Sequence, residues 1–306
     1  MTTPRQRFLA YRKSLPRPPR LERHILPVRG LELVAWTAPP VDGALPLLCV
    51  NGGLLFDHAI LWPALSPLAQ HRQLVFFDQR GRGRSQAPPG VRAARLEHDA
   101  GDVRGVREAL GIARWDVLGH SWGGGIAALG VAADQASVRR LVLVDAVGPT
   151  GEWLPRLMPD ALERLARISA EHHAALARFG PADLTSEDPR TQWEYSRALY
   201  PAWFADGELG TLFAPPRAES RTGAAVAARL RRDGYDWRET LRALHTPTLV
   251  IHGKEDLLPT SVAGALVATL PNARLELIPG AGHMPFWETP EAFFALVEAF
   301  LSAPSP

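Results

Sequence analysis

The sequence contains one cysteine among its 306 residues, so an internal disulfide cannot form. That residue, Cys49, lies in the apolar run LPLLCV and is predicted to be a buried core residue. No apolar run approaches the roughly 18 residues that a membrane-spanning helix requires. The N-terminal segment MTTPRQRFLAYRKSLPRPPR also lacks the apolar centre of a signal peptide. These absences predict a cytoplasmic protein without membrane association.

Excess positive charge is confined to the N-terminal segment. The whole chain has a formal net charge of +2. Residues 1–30 hold eight basic side chains and one acidic side chain, so the rest of the chain is mildly acidic. The segment has no aromatic platform interleaved with these charges, on which bases could stack. We therefore expect no nucleic-acid partner, and residues 1–24 are predicted to form a solvated, basic, proline-rich arm.

Short apolar runs alternate with longer helical patterns along most of the chain. Several runs are apolar throughout, which is typical of strands that helices cover on both faces of a parallel sheet. Residues 91–110, 122–133, 260–270 and 290–302 are predicted to be helices. This order predicts an α/β fold with a mostly parallel, doubly wound sheet. The predicted strands are LELVAWT, LPLLCVN, QLVFFD, RWDVLGH, RRLVLVD, TPTLVIHG and ARLELIPG.

The alternation stops between residues 148 and 235. This segment contains helix-like pieces such as PDALERLARISAEHHAALARF, and prolines interrupt it repeatedly. The pattern predicts a helical cap (lid) domain at 148–235, inserted into a core domain formed by residues 25–147 and 236–306. Ligands of open α/β sheets bind outside the carboxyl ends of the strands, so an insertion that follows LVLVD is expected to cover the site.

A glycine-rich turn follows the strand RWDVLGH. The segment Gly119-His120-Ser121-Trp122-Gly123 fits the pattern G-x-S-x-G, in which a sharp strand-to-helix turn exposes a serine hydroxyl above a sheet. Side chains two residues before or after that serine would clash, and Gly119 and Gly123 remove the obstacle. The pattern predicts Ser121 as a catalytic nucleophile.

A serine hydroxyl requires a base that removes its proton and an acid that orients the base. His283 lies on the glycine-rich loop PGAGHMPFWE, and Asp256 follows the strand TPTLVIHG. The chain order serine, aspartate, histidine is the one that this type of turn requires. Asp145, at the end of RRLVLVD, and Glu255 are alternative acids. The remaining histidines lack a comparable context, so Ser121, Asp256 and His283 form the predicted triad.

The negative charge that develops during acyl transfer requires hydrogen-bond donors placed in advance. The backbone N–H of Trp122, directly after the serine, is predicted to supply one of them. The second is expected from the loop Asn51-Gly52-Gly53, with Gly53 as the better candidate, although a glycine pair also forms ordinary turns. No metal or cofactor is predicted, because the histidine pair in HHAAL lacks the HExxH spacing and a carboxylate partner.

Taken together, these residues resemble the α/β-hydrolase superfamily from about residue 25 to residue 302. The segments DQRGRGRS, GHSWGG and QWEYSRALYP further resemble proline iminopeptidases. The resemblance implies an α/β-hydrolase fold, with a mostly parallel doubly wound sheet and a helical cap inserted after the sixth strand. It also implies cleavage of an N-terminal residue from small peptides, with Glu194, next to Trp193 in the cap, holding the free amino group of the substrate.

The glycine loop departs from that family's pattern. Proline iminopeptidases read His-Gly-Gly-Pro-Gly where this chain has Asn51-Gly52-Gly53-Leu54-Leu55. Carboxylesterases and carbon–carbon bond hydrolases of the same fold use the same triad, and a non-catalytic binding protein could retain the pocket. The prediction is therefore a serine hydrolase for a small molecule or a short peptide, with a proline iminopeptidase-like aminopeptidase as the leading function and a carboxylesterase or carbon–carbon bond hydrolase as the alternative. The tryptophans of the cap either line an apolar pocket or pack the cap.

Overall fold

Eight strands form one sheet in the computed structural model, which describes residues 3–304. The strands are Glu22–Val28 (β1), Leu31–Thr37 (β2), Leu47–Val50 (β3), Leu74–Phe77 (β4), Trp115–His120 (β5), Val138–Val144 (β6), Thr248–Gly253 (β7) and Ala273–Ile278 (β8). Their order across the sheet is β1-β2-β4-β3-β5-β6-β7-β8. The pairs β1–β2 and β2–β4 are antiparallel, and β3 to β8 run parallel to one another. The seven predicted runs are β2 to β8, which confirms the mostly parallel sheet.

Sequence analysis does not predict the edge strand β1. Its segment ERHILPV begins with three polar residues and contains Pro27, and only Leu26 and Val28 of this strand are buried. An edge strand tolerates proline because one side of its backbone forms no ladder. The alternation of buried and exposed positions is therefore too short to be recognised in the sequence.

Helices cover both faces of the sheet and fill the segment between β6 and β7. They are Pro4–Ser14 (α1), Leu96–Ala109 (α2), Trp122–Ala132 (α3), Leu154–Ile168 (α4), Ala170–Leu176 (α5), Pro181–Leu184 (α6), Pro189–Leu199 (α7), Gly207–Gly210 (α8), Arg221–Asp233 (α9), Arg238–Arg242 (α10), Thr260–Thr269 (α11), Pro285–Glu288 (α12) and Pro290–Ser302 (α13). The four helices predicted outside the cap are α2, α3, α11 and α13. The helices α4 to α9, called the helical insertion below, follow the sixth strand as expected. Within residues 3–304, no helix combines the length and apolar character needed to cross a membrane.

Alternate side chains of the central strands pack on opposite faces of the sheet. Val117 of β5 belongs to an apolar cluster with α2, α3 and α11, whereas Leu118 belongs to a cluster with α13. Cys49 of β3 is fully buried in the second cluster, as predicted. Both faces of the sheet are covered, and this is why the strands carry apolar residues without alternation.

The N-terminal arm contains a helix that sequence analysis does not predict. In α1, Phe8 is only 6% exposed, and its ring lies 4.9 Å from the ring of Phe213 and 5.7 Å from that of Trp287. A capping box begins the helix, in which the side chains of Thr3 and Gln6 each accept the other's backbone N–H. The expectation of a solvated arm over residues 1–24 is therefore corrected at Phe8, while the other residues of α1 are exposed or partly exposed, and residues 1–2 lie outside the described part.

The loop DQRGRGRS after β4 is fixed by buried ion pairs with α2. Arg80 Nη2 lies 2.5 Å from a carboxylate oxygen of Asp102, and Arg82 Nη1 lies 2.9 Å from one of Asp99. Each arginine also donates a second hydrogen bond to the same carboxylate, which makes both contacts bidentate. The motif therefore has a structural role in this chain.

Candidate active site

Ser121 lies at the turn between β5 and α3, with φ 57° and ψ −126°. Side-chain-bearing residues rarely adopt such a positive φ, and the strain is typical of functional turns. A Cβ atom at Gly119 would lie 2.7 Å from Ala127 Cβ, and one at Gly123 would lie 2.6 Å from the carbonyl carbon of Asn51. Both positions therefore require glycine, which is what the G-x-S-x-G pattern predicts.

A cavity adjoins this turn, between the carboxyl ends of the strands and the helical insertion. Its empty space is about 740 Å³, including the open mouth. Ser121 and His283 both line it. Among the described residues of its wall, Arg231 is the only one with a permanent charge.

Most of the cavity wall is apolar. Trp153 and Trp203 contribute to it, so two of the three cap tryptophans line a pocket. The third, Trp193, packs within the helical insertion. Other apolar side chains of the wall come from both the core and the insertion, and they include Leu54, Phe56, Val147, Leu157, Leu199 and Leu258.

His283 and Asp256 form a buried hydrogen-bonded pair, with 2.8 Å between His283 Nδ1 and Asp256 Oδ2. Because the carboxylate accepts this bond, Nδ1 carries the proton and Nε2 is left as an acceptor. Burial alone would raise the pKa of Asp256, but the positive charge of the His283 ring when it is protonated, together with its hydrogen bond, keeps that pKa below its ordinary value. Glu255 instead accepts the backbone N–H of Gly280. The pair is thus an ionised acid that orients a base.

Ser121 and His283 share the cavity without a direct hydrogen bond between their side chains in the described part of the chain. Contacts between a nucleophile and its base are commonly long without substrate and tighten when substrate binds.

Asp145, the main alternative acid, lies beside this pair. One of its oxygens accepts the backbone N–H of Gly253 at 2.7 Å, and the other has no partner among the described residues. Side-chain atoms of Asp145, Asp256 and His283 lie within 4.8 Å of one another. Burial and the nearby Asp256 carboxylate raise the pKa of Asp145 well above its ordinary value. Both candidate acids therefore meet at His283, and Asp256 makes the hydrogen bond.

The glycine loop after β3 lies against the Ser121 turn. A Cβ atom at Gly52 would lie 2.6 Å from Ser121 Cβ and 3.0 Å from Trp122 N, and Gly53 lines the cavity. Trp122 begins α3, where helix N–H groups lack partners within the helix. In the described residues, no group accepts a hydrogen bond from the backbone N–H of Trp122 or Gly53. Both N–H groups can therefore serve a ligand.

Asn51 takes the position of the histidine in the iminopeptidase loop. Its side-chain amide donates to the carbonyl oxygens of Gly52 and Phe56, at 3.2 and 3.1 Å. Gln79 Nε2 in turn donates to the Asn51 carbonyl at 3.0 Å. These bonds hold the loop without the proline of the iminopeptidase pattern.

Three further side chains hold the loop that carries His283. His120 Nε2 donates to the His283 carbonyl oxygen at 2.8 Å, and burial lowers the pKa of His120 to about 3, so its ring is neutral. The backbone carbonyl oxygen of Trp203, in the helical insertion, accepts the His283 backbone N–H at 2.7 Å, and the Trp203 indole stacks on the imidazole with 4.3 Å between the ring centres. Glu288 accepts the backbone N–H groups on both sides of His283. The histidine is therefore positioned by the core and the insertion together.

Glu288 is expected to make the stability of the protein depend on pH. Burial raises its pKa to about 7 from an ordinary 4.5, although three backbone N–H groups oppose the shift. Because the folded-state pKa is raised, the contribution of this group is fully present below pH 4.5 and is lost as the pH rises through 7. The permanently neutral variant Glu288→Gln should lack this loss, which amounts to about 3 kcal/mol of unfolding free energy. Urea unfolding of both proteins at pH 4.5 and 7.5 measures the difference, and an identical pH dependence would contradict the expectation.

Glu194 and Trp193 do not reach the cavity. The Glu194 side chain is 43% exposed and pairs with Arg190, one turn earlier on α7, at 2.9 Å. Trp193 Nε1 donates to the carbonyl oxygen of Pro216. Tyr195 lines the cavity instead, because successive helix residues point about 100° apart. The expectation that Glu194 and Trp193 bind the substrate is therefore corrected: they lie on other faces of this helix.

A second cluster of acidic and histidine side chains comprises Asp57, His58 and Asp78, whose polar atoms also lie within 4.8 Å of one another. His58 Nδ1 lies 2.8 Å from Asp78, which also accepts the backbone N–H groups of His58 and Arg84. These internal hydrogen bonds account for the arrangement. The Asp145, Asp256 and His283 cluster is likewise occupied by the hydrogen bond between histidine and aspartate.

Sequence analysis misses His120, Glu288 and Arg231 as residues of this region. His120 lies next to Ser121 and Glu288 lies five positions after His283, so proximity to the motifs is a usable signal for both. Arg231 belongs to the run ARLRRD, which is typical of a solvated helix end. Nothing in that run distinguishes the one arginine that faces the cavity.

Comparison with known proteins agrees with this fold. A family model described as alpha/beta hydrolase fold matches residues 46–290. Proline iminopeptidase of Lactobacillus delbrueckii subsp. bulgaricus is 28% identical over 79% of this chain and 84% of its own length. 2-Hydroxymuconate semialdehyde hydrolase of Pseudomonas putida is 30% identical over 76% of this chain and 78% of its own. The crystal structure of Mycobacterium smegmatis proline iminopeptidase is 22% identical in sequence, and the match covers 92% of this chain and 97% of the iminopeptidase chain. The TM-score of 0.67 shows that the two proteins share a fold.

Proposed function

Because the chain belongs to the alpha/beta hydrolase fold family, whose members are hydrolytic enzymes, we propose that it is a serine hydrolase that cleaves carboxylic esters of small, largely apolar molecules. One observation carries the proposal. Ser121 lies on a positive-φ turn in the wall of an apolar cavity, and His283, hydrogen-bonded to Asp256, lies in the same wall.

In the proposed reaction, His283 Nε2 removes the hydroxyl proton while Ser121 Oγ attacks the ester carbonyl. The backbone N–H groups of Trp122 and Gly53 hold the oxyanion that forms. The imidazolium, stabilised by the Asp256 carboxylate, then protonates the departing alcohol. A water molecule, deprotonated by the same imidazole, attacks the acyl group, releases the acid and restores Ser121.

The chemistry of the wall favours an ester over a substrate with a free amine. Among the described residues that line the cavity, none is an aspartate or a glutamate. An ammonium group would therefore lose its hydration without gaining an opposite charge, which costs several kcal/mol. An apolar acyl group instead gains about 25 cal/mol for each Å² that it buries.

The similarity to proline iminopeptidases favours a second candidate function, an aminopeptidase that removes the N-terminal residue of small peptides. That function requires an acidic group near the bound amine. Glu194, the residue that the resemblance suggested for this role, pairs with Arg190 outside the cavity. The ester hydrolase is therefore the function that the site supports better.

Matched esters distinguish the two functions. We expect kcat/KM for the 4-methylumbelliferyl ester of cyclopentanecarboxylic acid to be at least about 10-fold higher than kcat/KM for the 4-methylumbelliferyl ester of proline. The reason is that only the proline ring carries an ammonium group, for which the cavity wall offers no negative charge. Rates are corrected for the uncatalysed reaction. Glu194→Gln should change neither value more than about twofold, as is usual for an exposed charge. A preference for the prolyl ester that disappears in Glu194→Gln would instead establish the aminopeptidase.

A further inference from the structure

The cavity beside Ser121 contains an arginine without an acidic partner. Arg231 lies in the last turns of α9, is partly buried and lines the cavity. Its Nη1 donates to the carbonyl oxygen of Leu184 at 3.0 Å and to Gln192 Oε1 at 2.6 Å. Its guanidinium carbon also lies 5.0 Å from the centre of the Tyr195 ring. Among the described residues, no carboxylate lies within ion-pair distance of this guanidinium, and Nε and Nη2 have no protein acceptor.

Other enclosed arginines show how this chain normally treats such a charge. Arg80 and Arg82 each form bidentate pairs with an aspartate. Arg140 has no carboxylate partner, but its two terminal nitrogens donate to three carbonyl oxygens near the C-terminus. Arg231 differs because it has neither a carboxylate partner nor a full set of carbonyl acceptors, and it lines a cavity that contains the candidate nucleophile.

A partly desolvated cation of this kind attracts an anion. A guanidinium remains charged even where burial lowers its pKa, and burial does so for Arg231. Its planar fork matches the two oxygens of a carboxylate, and charge-assisted bonds of this type are roughly twice as strong as neutral ones. The surrounding wall is apolar, so solvent screening of such a pair would be weak.

We propose that Arg231 binds a carboxylate of the substrate while Ser121 attacks the ester, so that the preferred substrates are acidic esters rather than neutral ones. The inference rests on the proposed function, because it concerns the same cavity. The carboxylate could belong to the acyl group or to the alcohol. Both sources present the same chemistry to the guanidinium.

Two matched substrate pairs test the proposal and separate these sources. For the acyl side, 4-methylumbelliferyl monoesters of succinic, glutaric and adipic acid are compared with their methyl-capped, uncharged counterparts. For the alcohol side, 4-carboxyphenyl butyrate is compared with 4-carbamoylphenyl butyrate. We expect the wild-type protein to prefer the carboxylate member of at least one pair. Equal rates, or a preference for the neutral member in every pair, would overturn the proposal without any variant.

Variants then assign the preference to Arg231. Arg231→Gln should lower kcat/KM for the preferred carboxylate substrate about 10- to 100-fold, mainly through KM, and change the neutral counterpart less than about threefold. Arg231→Lys, which keeps the charge but loses the fork, should lie between the two. Arg190→Gln, a variant of an exposed arginine in the same insertion, should leave both substrates unchanged. Equal losses for the charged and neutral substrates would indicate that Arg231 only braces Leu184 and Gln192, and would overturn the proposal.

A binding measurement separates this inference from the proposed reaction. In Ser121→Ala, titration with glutarate should change the fluorescence of the tryptophans that line the cavity, and the additional change Arg231→Gln should weaken that binding about 10-fold or more. If the binding depends on Arg231 but wild-type protein hydrolyses no ester, the anion site stands and the proposed reaction fails. If esters are hydrolysed but neither binding nor preference depends on Arg231, the reaction stands and the anion site fails.

Discussion

Replacement of Ser121 by alanine is expected to lower kcat for 4-methylumbelliferyl butyrate about 10⁶-fold, the loss typical of removing the nucleophile from a cooperating triad. Without the hydroxyl, no acyl-enzyme forms, and His283 has no proton to remove. The oxyanion donors and the apolar wall remain, so the KM of the residual reaction should change little. Stopped assays at high enzyme concentration measure kcat, and circular dichroism verifies the fold.

Ser196→Ala is the matched control for this experiment. Ser196 also lines the cavity, and its hydroxyl donates to the carbonyl oxygen of Gln192, so it is not available as a nucleophile. We expect this variant to retain kcat within about 10-fold, as for a neutral hydrogen bond away from the reacting atoms. A fluorophosphonate probe should label the wild type and Ser196→Ala but not Ser121→Ala. Undiminished ester hydrolysis by Ser121→Ala would remove Ser121 from the mechanism, and a wild type that neither reacts nor becomes labelled would be a binding protein.

The parallel part of the fold is predictable because of where its strands lie. Strands covered on both faces carry uninterrupted apolar runs, and β3, β4 and β7 are buried along their whole length. By contrast, α1 is a largely exposed helix that rests on one residue, Phe8, and its partners Phe213 and Trp287 are distant in the chain. No local pattern reveals a contact of that kind.

The candidate site follows from chain order for the same geometric reason. The carboxyl ends of parallel strands meet at one edge of a sheet, so residues just after β5, β7 and β8 can approach one another. The choice between Asp145 and Asp256 stays open in the sequence because β6 and β7 are neighbours and both acids follow them. Residues of the helical insertion are harder to assign. Whether Glu194 or Tyr195 faces the cavity depends on how short helices rotate against the core, and their composition does not fix that rotation.

Replacement of Asp256 by asparagine is expected to lower kcat about 10⁴-fold, equivalent to about 5.4 kcal/mol of transition-state stabilisation. The amide presents a neutral group to His283 Nδ1, so the correct tautomer is no longer favoured and the imidazolium loses its counter-charge. The measurement uses the same ester as for Ser121, with unfolding by urea as the test of stability.

Asp145→Asn is the matched control for this change, because the two carboxyls lie side by side and both are buried. Burial and Asp256 already favour the protonated, neutral form of Asp145, so a neutral amide alters its charge little. We therefore expect kcat to fall less than about 10-fold, within the range of one neutral hydrogen bond. If Asp145→Asn loses as much activity as Asp256→Asn, the carboxylate that orients His283 is shared between the two residues. If Asp256→Asn keeps more than about 1% of kcat, and the double variant Asp145→Asn/Asp256→Asn loses that remaining activity, then Asp145 replaces the missing acid. Asp145 is close enough to His283 to do so.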